Sequence, residues 1–256
     1  MKTVSNFIVK KLEKWKVKDV FIFQGGAISQ VLSEIGNSKK IKFYCPYHEQ
    51  ALAMAVDGYA RINGFGVGFV TSGPGATNLL TGVASSYYDS IPCIFFTGQV
   101  GQFHLKGDRK VRQRGYQETD VVSIFKSVTK FVYQLKNPNE IDYILDKAFF
   151  IATSGRPGPV VIDIPFNIQK AKVKKNELKI YRPKKIIFNS KKIKIEKLIK
   201  LLNRSKKPLL IAGGGVRISK QEKKFIEFSS KKNLPFVTTW PAQDLGTFDN
   251  HLFLDP

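Results

Sequence analysis

A chain of 256 residues, 43% hydrophobic and 24% charged, has a globular composition and room for one large or two smaller domains with a substantial core. No apolar run reaches the roughly 18 residues a membrane span needs. The net charge of +22 raises nucleic acid as a partner, yet 34 of the 42 basic residues are lysine and the basic stretches lack interleaved aromatics, so lysine-rich solvated faces are expected, with neither nucleic acid nor membrane as partner.

The opening MKTVSNFIVKKLEKWKVKDV sets Val4, Phe7, Ile8 and Leu12 on one side of an amphipathic helix. It lacks the charged tip and apolar core of a signal peptide, which points to a cytoplasmic protein. Short apolar runs then alternate with helical patterns as far as residue 168. DVFIFQGG, KFYC, GVGFVTSG, IPCIFFTG and GPVVIDIP are the strand candidates, punctuated by Gly or Pro. Helical stretches fall near 27–35, 48–62, 75–88, 119–126 and 138–152. The alternation predicts an α/β fold: a doubly wound, mostly parallel sheet with helices on both faces over residues 1–168, with ligands at the carboxyl ends of the strands. Residues 169–190, dense in lysine, read as a basic linker. IEKLIKLLNRS, PLLIAGGG, KQEKKFIEFSSKK and LPFVTTW within 191–256 then read as the start of a second, partial α/β domain. Cys45 and Cys93, the only cysteines, are expected to be buried and reduced.

Glu49 shares a helical face with Ala53, Val56 and Ala60, whereas Asp57 and Arg61 form an i,i+4 pair on another face. Glu49 therefore points inward, although an acid in the first turn of a helix also complements its dipole. TSGPGATN, residues 71–78, is a strand-to-helix turn whose glycines relieve sterics or admit a ligand close to the backbone. Val70 stands where a nucleophile elbow around Ser72 would need glycine, which excludes that motif. AGGGVRIS, residues 212–219, follows a strand as a dinucleotide fingerprint would, but Ile218 occupies the place of the last glycine. His48 and His104 have no companions at metal-ligand spacing and read as structural or peripheral; no metal ligand is assigned. The polar run HLKGDRKVRQRGYQETD, residues 104–120, is a long inter-element segment in which Arg112 and Gln117 stand out.

FQGGA, HEQALAMAVDGYAR, TSGPGATNLLTGVASSYYDSIP, TGQV, YQETD and GRPGPVVIDIP occur in that order. Together they resemble the amino-terminal part of thiamine diphosphate enzymes, and within them the large subunit of acetolactate synthase. KPLLIAGGG and LPFVTTW resemble the start of that family's middle domain. The resemblance implies that Glu49 is the catalytic carboxylate, hydrogen-bonding a nitrogen of the cofactor's aminopyrimidine in a dry pocket, with small neighbours such as Ala53 leaving room for a ring. It also implies that Phe23, Gln24 and Gly25 lie beside the cofactor, with Gln24 standing where the family usually carries proline. Thr71, Pro74 and Asn78 would line the pyrimidine pocket and Gln117 would reach into the active site. Arg156 and Gly213, Gly214 and Gly215 match positions that touch FAD in acetolactate synthases, a flavin that many relatives have lost.

The family holds the diphosphate through Mg²⁺ with a Gly-Asp-Gly motif, and none occurs in these residues; KGDRK has arginine in place of the second glycine. The expectation is an amino-terminal portion, inactive alone. It would form its site as a homodimer or with a complementing carboxyl-terminal subunit, decarboxylating pyruvate and transferring the acyl unit to a second 2-keto acid. Two alternatives stand beside it: a non-catalytic binding or assembly module of the same fold, and a nucleotide-binding protein using the 213–215 turn.

Overall fold

A computed structural model describes residues 2–183, 195–247 and 249–254. The chain divides into two compact units, Met1–Lys185 and Ile186–Pro256. The first unit runs α1 (Val4–Lys14), β1 (Asp19–Ile22), α2 (Ser29–Gly36), β2 (Lys42–Tyr44), α3 (Glu49–Asn63), β3 (Gly66–Val70), α4 (Pro74–Asn78), α5 (Leu80–Asp89), β4 (Cys93–Gln99), α6 (Val121–Phe125), β5 (Phe131–Gln134), α7 (Ile141–Thr153), β6 (Val160–Pro165) and α8 (Phe166–Lys170).

Six strands form one sheet in the order β2-β1-β3-β4-β6-β5, and every pairing is parallel. The α/β expectation holds. β5 lies outside the strand candidates: its FVYQ run is an edge strand, only half-buried, and sits between lysines. The central strands β3, β4 and β6 are buried along their whole lengths, as continuous apolar runs in a two-sided parallel sheet must be. Their alternate residues feed two separate cores. Phe69 and Phe96 stack at 4.7 Å in the layer covered by α1, α2 and α7. Cys93 and Phe95 face the layer under α3, α5 and α6.

Local chemistry sets the helix ends. Thr3 Oγ1 accepts a hydrogen bond from Asn6 N to cap α1, and His48 Nδ1 accepts from Gln50 N at 3.1 Å to cap α3. Gly64, in the left-handed region, stops α3. Lys11 is buried on α1, where the carboxylates of Asp142 and Asp146 on α7 engage it. Burial would depress its pKa, but the two acids raise it overall.

Beyond α8, Lys172 bridges to Thr3, Val173 is buried, and Tyr181 lies against Tyr143 and Phe150. This part of the stretch read as a linker lies on the first unit, and residues 184–190 fall outside the described residues. The second unit contains α9 (Ile195–Arg204), β7 (Leu210–Ala212), α10 (Gly215–Ile218), α11 (Glu222–Lys232) and β8 (Phe236–Thr238). Its two strands pair in parallel, as a partial α/β domain should. No helix among the described residues is long and apolar enough to cross a membrane.

Candidate functional site

In this strand order the chain leaves β1 toward β2 on one side and returns to place β3 on the other, so the β1/β3 junction is the topological switch point. Crevices at such points, beyond the carboxyl ends of the strands, are where open α/β sheets bind ligands. Gly25 follows β1 and Thr71 follows β3, and the two meet there. A Cβ added to Gly25 would lie 2.3 Å from Thr71 Cβ, so glycine is required by close approach, the backbone itself being extended at φ 179. Gly25→Ala is expected to destabilise the chain by about 1–3 kcal/mol through overpacking. A urea midpoint matching wild type would refute this, and Thr71→Gly in the same chain should recover part of the loss.

Glu49 opens α3 at the same sheet edge and is 7% exposed, in line with its helical spacing. Its Oε2 accepts a hydrogen bond of 3.0 Å from Asn78 Nδ2, which joins the first turn of α3 to the last residue of α4. Among the described residues its Oε1 accepts no hydrogen bond. Gly75 helps leave that oxygen open, since a Cβ there would lie 3.3 Å from Oε1 and 2.7 Å from Thr71 Cγ2. Gly73, at φ 61 and ψ −126, shapes the turn into α4 in a conformation that other residues resist. Its open side is filled by Gln117, whose Cβ would lie 2.7 Å from a Cβ on Gly73. Gly25, Glu49, Thr71, Asn78 and Gln117 are thus brought together from four segments of the chain. An open carboxylate oxygen, with its partner oxygen held by an amide, can accept a hydrogen bond from a ring nitrogen that carries a proton, as in an aminopyrimidine.

The remaining predicted positions divide. Phe23 is half-buried in the layer under α3, and Gln24 and Pro74 are exposed near the crevice in sequence. Arg112 is exposed. His48 is the α3 cap. Ala53 does not leave room for a ring: α5 packs directly on it, and a Cβ on Gly82 would stand 2.4 Å from Ala53 Cβ. Its small size serves helix packing. Cys45 is exposed, against expectation, because all of the edge strand before it is exposed; Cys93 is buried, and burial pushes its thiol pKa far up.

Arg156 lies at the opposite, amino-terminal edge of the sheet. Its Nε donates to Ser90 Oγ at 2.6 Å and its Nη2 to Tyr88 O, beside the end of α5, where a cation complements the helix dipole. Gly213, Gly214 and Gly215 belong to the second unit, between β7 and the short α10. Arg217 on α10 pairs with Glu222 and Asp244.

Sequence reasoning missed Asp163. Wholly buried in β6, it accepts from Thr97 Oγ1 at 2.6 Å, Gln99 Nε2 at 3.1 Å and Gln134 Nε2 at 2.8 Å. Burial raises its pKa to about 6, against the opposing effect of the three hydrogen bonds. The signal was an acid inside an otherwise apolar strand, VVIDIP. Beside the crevice opens a cavity of about 410 Å³ lined by Gly26, Ala27, Gln99, Val100, Arg114 and Tyr116, among others.

Residues 2–124 match the family model described as thiamine pyrophosphate enzyme, N-terminal TPP binding domain, and residues 195–255 match thiamine pyrophosphate enzyme, central domain. The chain belongs to the thiamine pyrophosphate enzyme family.

Its relatives narrow the comparison to acetolactate synthases. It is 38% identical over 252 residues to the acetolactate synthase large subunit of Corynebacterium glutamicum, covering 96% of this chain and 38% of that protein. Acetolactate synthase 2, chloroplastic, of Nicotiana tabacum is 37% identical over 250 residues, 95% of this chain and 36% of the other. The large subunit of Lactococcus lactis is 37% identical over 240 residues, 92% and 40% respectively. The chain spans about two fifths of the length of these relatives.

Proposed function

We propose that this chain carries the pyrimidine-facing half of a thiamine diphosphate site in an acetolactate-synthase-like enzyme, one that decarboxylates pyruvate and passes the acyl unit to a second 2-keto acid. The observation that carries the reading is Glu49: nearly buried at the carboxyl edge of the sheet, one oxygen held by Asn78 and the other without a partner among the described residues. Thiamine diphosphate supplies the electron sink for breaking the bond to the carboxylate. Glu49 Oε1 would accept a hydrogen bond from the protonated pyrimidine nitrogen, and Asn78 would keep the carboxylate turned toward it. Burial makes that hydrogen bond stronger than it would be in water. Gln117, packed on Gly73, would border the reacting end.

No Gly-Asp-Gly occurs in the 256 residues, so Mg²⁺ and the diphosphate are assigned to another domain, such as a complementing carboxyl-terminal subunit. FAD is proposed from the family resemblance of the Gly213–Gly215 turn alone, and flavin absorbance of the purified protein tests it. For the main reading, thiamine diphosphate with Mg²⁺ is titrated by calorimetry into the chain alone and then into its mixture with the carboxyl-terminal half of a related synthase. Binding is expected in the mixture and weak or none in the chain alone, because charge-assisted diphosphate contacts supply much of the affinity. Absence of binding in both settings favours the non-catalytic module.

A further inference from the structure

Residues 100–120, between β4 and α6, form a long connection closed by two polar anchors. Glu118 is the first. Its Oε1 accepts from Lys106 N at 2.6 Å and its Oε2 from Arg114 N at 2.8 Å, so one carboxylate ties together both arms. Gln99, fully buried at the end of β4, is the second. Its Nε2 donates to Thr119 O at 2.7 Å and to Asp163 Oδ2 at 3.1 Å, and its Oε1 accepts from Val100 N. Gly115 completes the closure, since a Cβ there would lie 2.9 Å from Val100 Cγ2 and 3.0 Å from His104 O.

Immediately before the anchored residues 118 and 119 stands Gln117, at φ 60. Left-handed backbone is disfavoured for a residue with a Cβ and persists where the surroundings over-determine it. Here the over-determination is visible on both sides: the anchors fix the chain after it, and Gly73 receives its side chain.

We propose that Gln99 and Glu118 are positioning residues, which together hold Gln117 in left-handed backbone over Gly73 so that this wall of the Glu49 crevice is formed before a ligand arrives. The inference rests on reading that crevice as the thiamine site. A wall built in advance removes an ordering cost from binding, so its loss should appear as weaker affinity without loss of the fold.

Glu118→Ala removes both acceptors at a half-buried position, and Gln99→Leu removes the buried amide at similar volume. Each is compared with wild type in the assembly with a carboxyl-terminal half, by three measurements: amide exchange at Lys106 and Arg114 together with trypsin cleavage between residues 106 and 114, the urea midpoint, and titration of thiamine diphosphate with Mg²⁺. For Glu118→Ala, loop exchange and cleavage should rise at least about tenfold, and affinity should fall by about tenfold, at an unchanged midpoint. Should Gln99→Leu fail to fold, Glu118→Ala decides alone. Unchanged exchange, or a looser loop with unchanged affinity, overturns the proposal. If wild type itself binds no thiamine diphosphate, the reading of the crevice falls and takes the inference with it, an outcome visible without either variant.

Discussion

Glu49→Gln, in an assembly that turns over 2-keto acid, is expected to lower the rate by at least about 10²-fold while leaving the fold intact. The substitution keeps shape and removes one function. The glutamine carbonyl can still accept from Asn78 Nδ2, as Glu49 Oε2 does at 3.0 Å, so packing around the start of α3 survives. Its amide nitrogen then takes the place of Oε1 and presents a donor where the bound ring also presents one. The carboxylate proposed to fix the ring's protonation is gone. Steady-state turnover beside circular dichroism and a urea midpoint separates chemistry from folding. A near-normal rate in a well-folded variant removes Glu49 from the role proposed for it.

Asp163 gives the second large effect, and its sign follows from burial. Its folded pKa of about 6 lies above the ordinary aspartate value of 3.8. Protonation therefore favours the native state: the contribution is fully present below about pH 4 and is lost as pH rises through about 6. About two pKa units correspond to a loss on the order of 3 kcal/mol across that window. Asp163→Asn removes the ionisation, and an asparagine can accept from the amides of Gln99 and Gln134 while donating to Thr97 Oγ1. The stability of wild type relative to Asp163→Asn should accordingly fall between pH 4 and pH 7 by that amount. Asp163→Ala behaves differently, since it leaves the Gln134 amide without its acceptor and opens a polar gap, costing several kcal/mol at any pH. A wild-type minus Asp163→Asn difference that stays flat with pH shows that the carboxyl is not titrating in that window.

What the sequence disclosed and what it withheld have separate physical causes. Strands buried on both faces, such as GVGFV and CIFFTGQ, announce themselves as unbroken apolar runs between glycines and prolines. The edge strand FVYQ is only half-buried and carries no such mark. Helical periodicity was enough to turn Glu49 inward, because the rule is local. The Asn78 bond to Glu49 spans 29 residues and depends on how α4 is set against α3, which no local period encodes. The same limit explains Ala53, whose neighbour Gly82 comes from another helix. The membership of the family rested on motifs in order, while the gathering of Gly25 and Thr71 at one crevice required the strand order. Strand patterning asks only whether a residue is apolar, so it says nothing of the three hydrogen bonds that the Asp163 carboxylate in VVIDIP accepts.

The buried Gln99 amide joined to Thr119 O has a consequence for how such a protein can diverge. With both ends of the intervening stretch pinned to the sheet, the distance between them is set independently of how many residues lie outside. Doubling the length of a flexible segment between fixed ends adds only about 0.6 kcal/mol of closure entropy. Insertions and charge changes among the exposed residues 107–113, outside the two amides that Glu118 holds, are therefore cheap in stability, and the flanking His104 and Arg114 line the cavity beside the crevice. Surface contacts can be rewritten there while the layers beneath stay as they are.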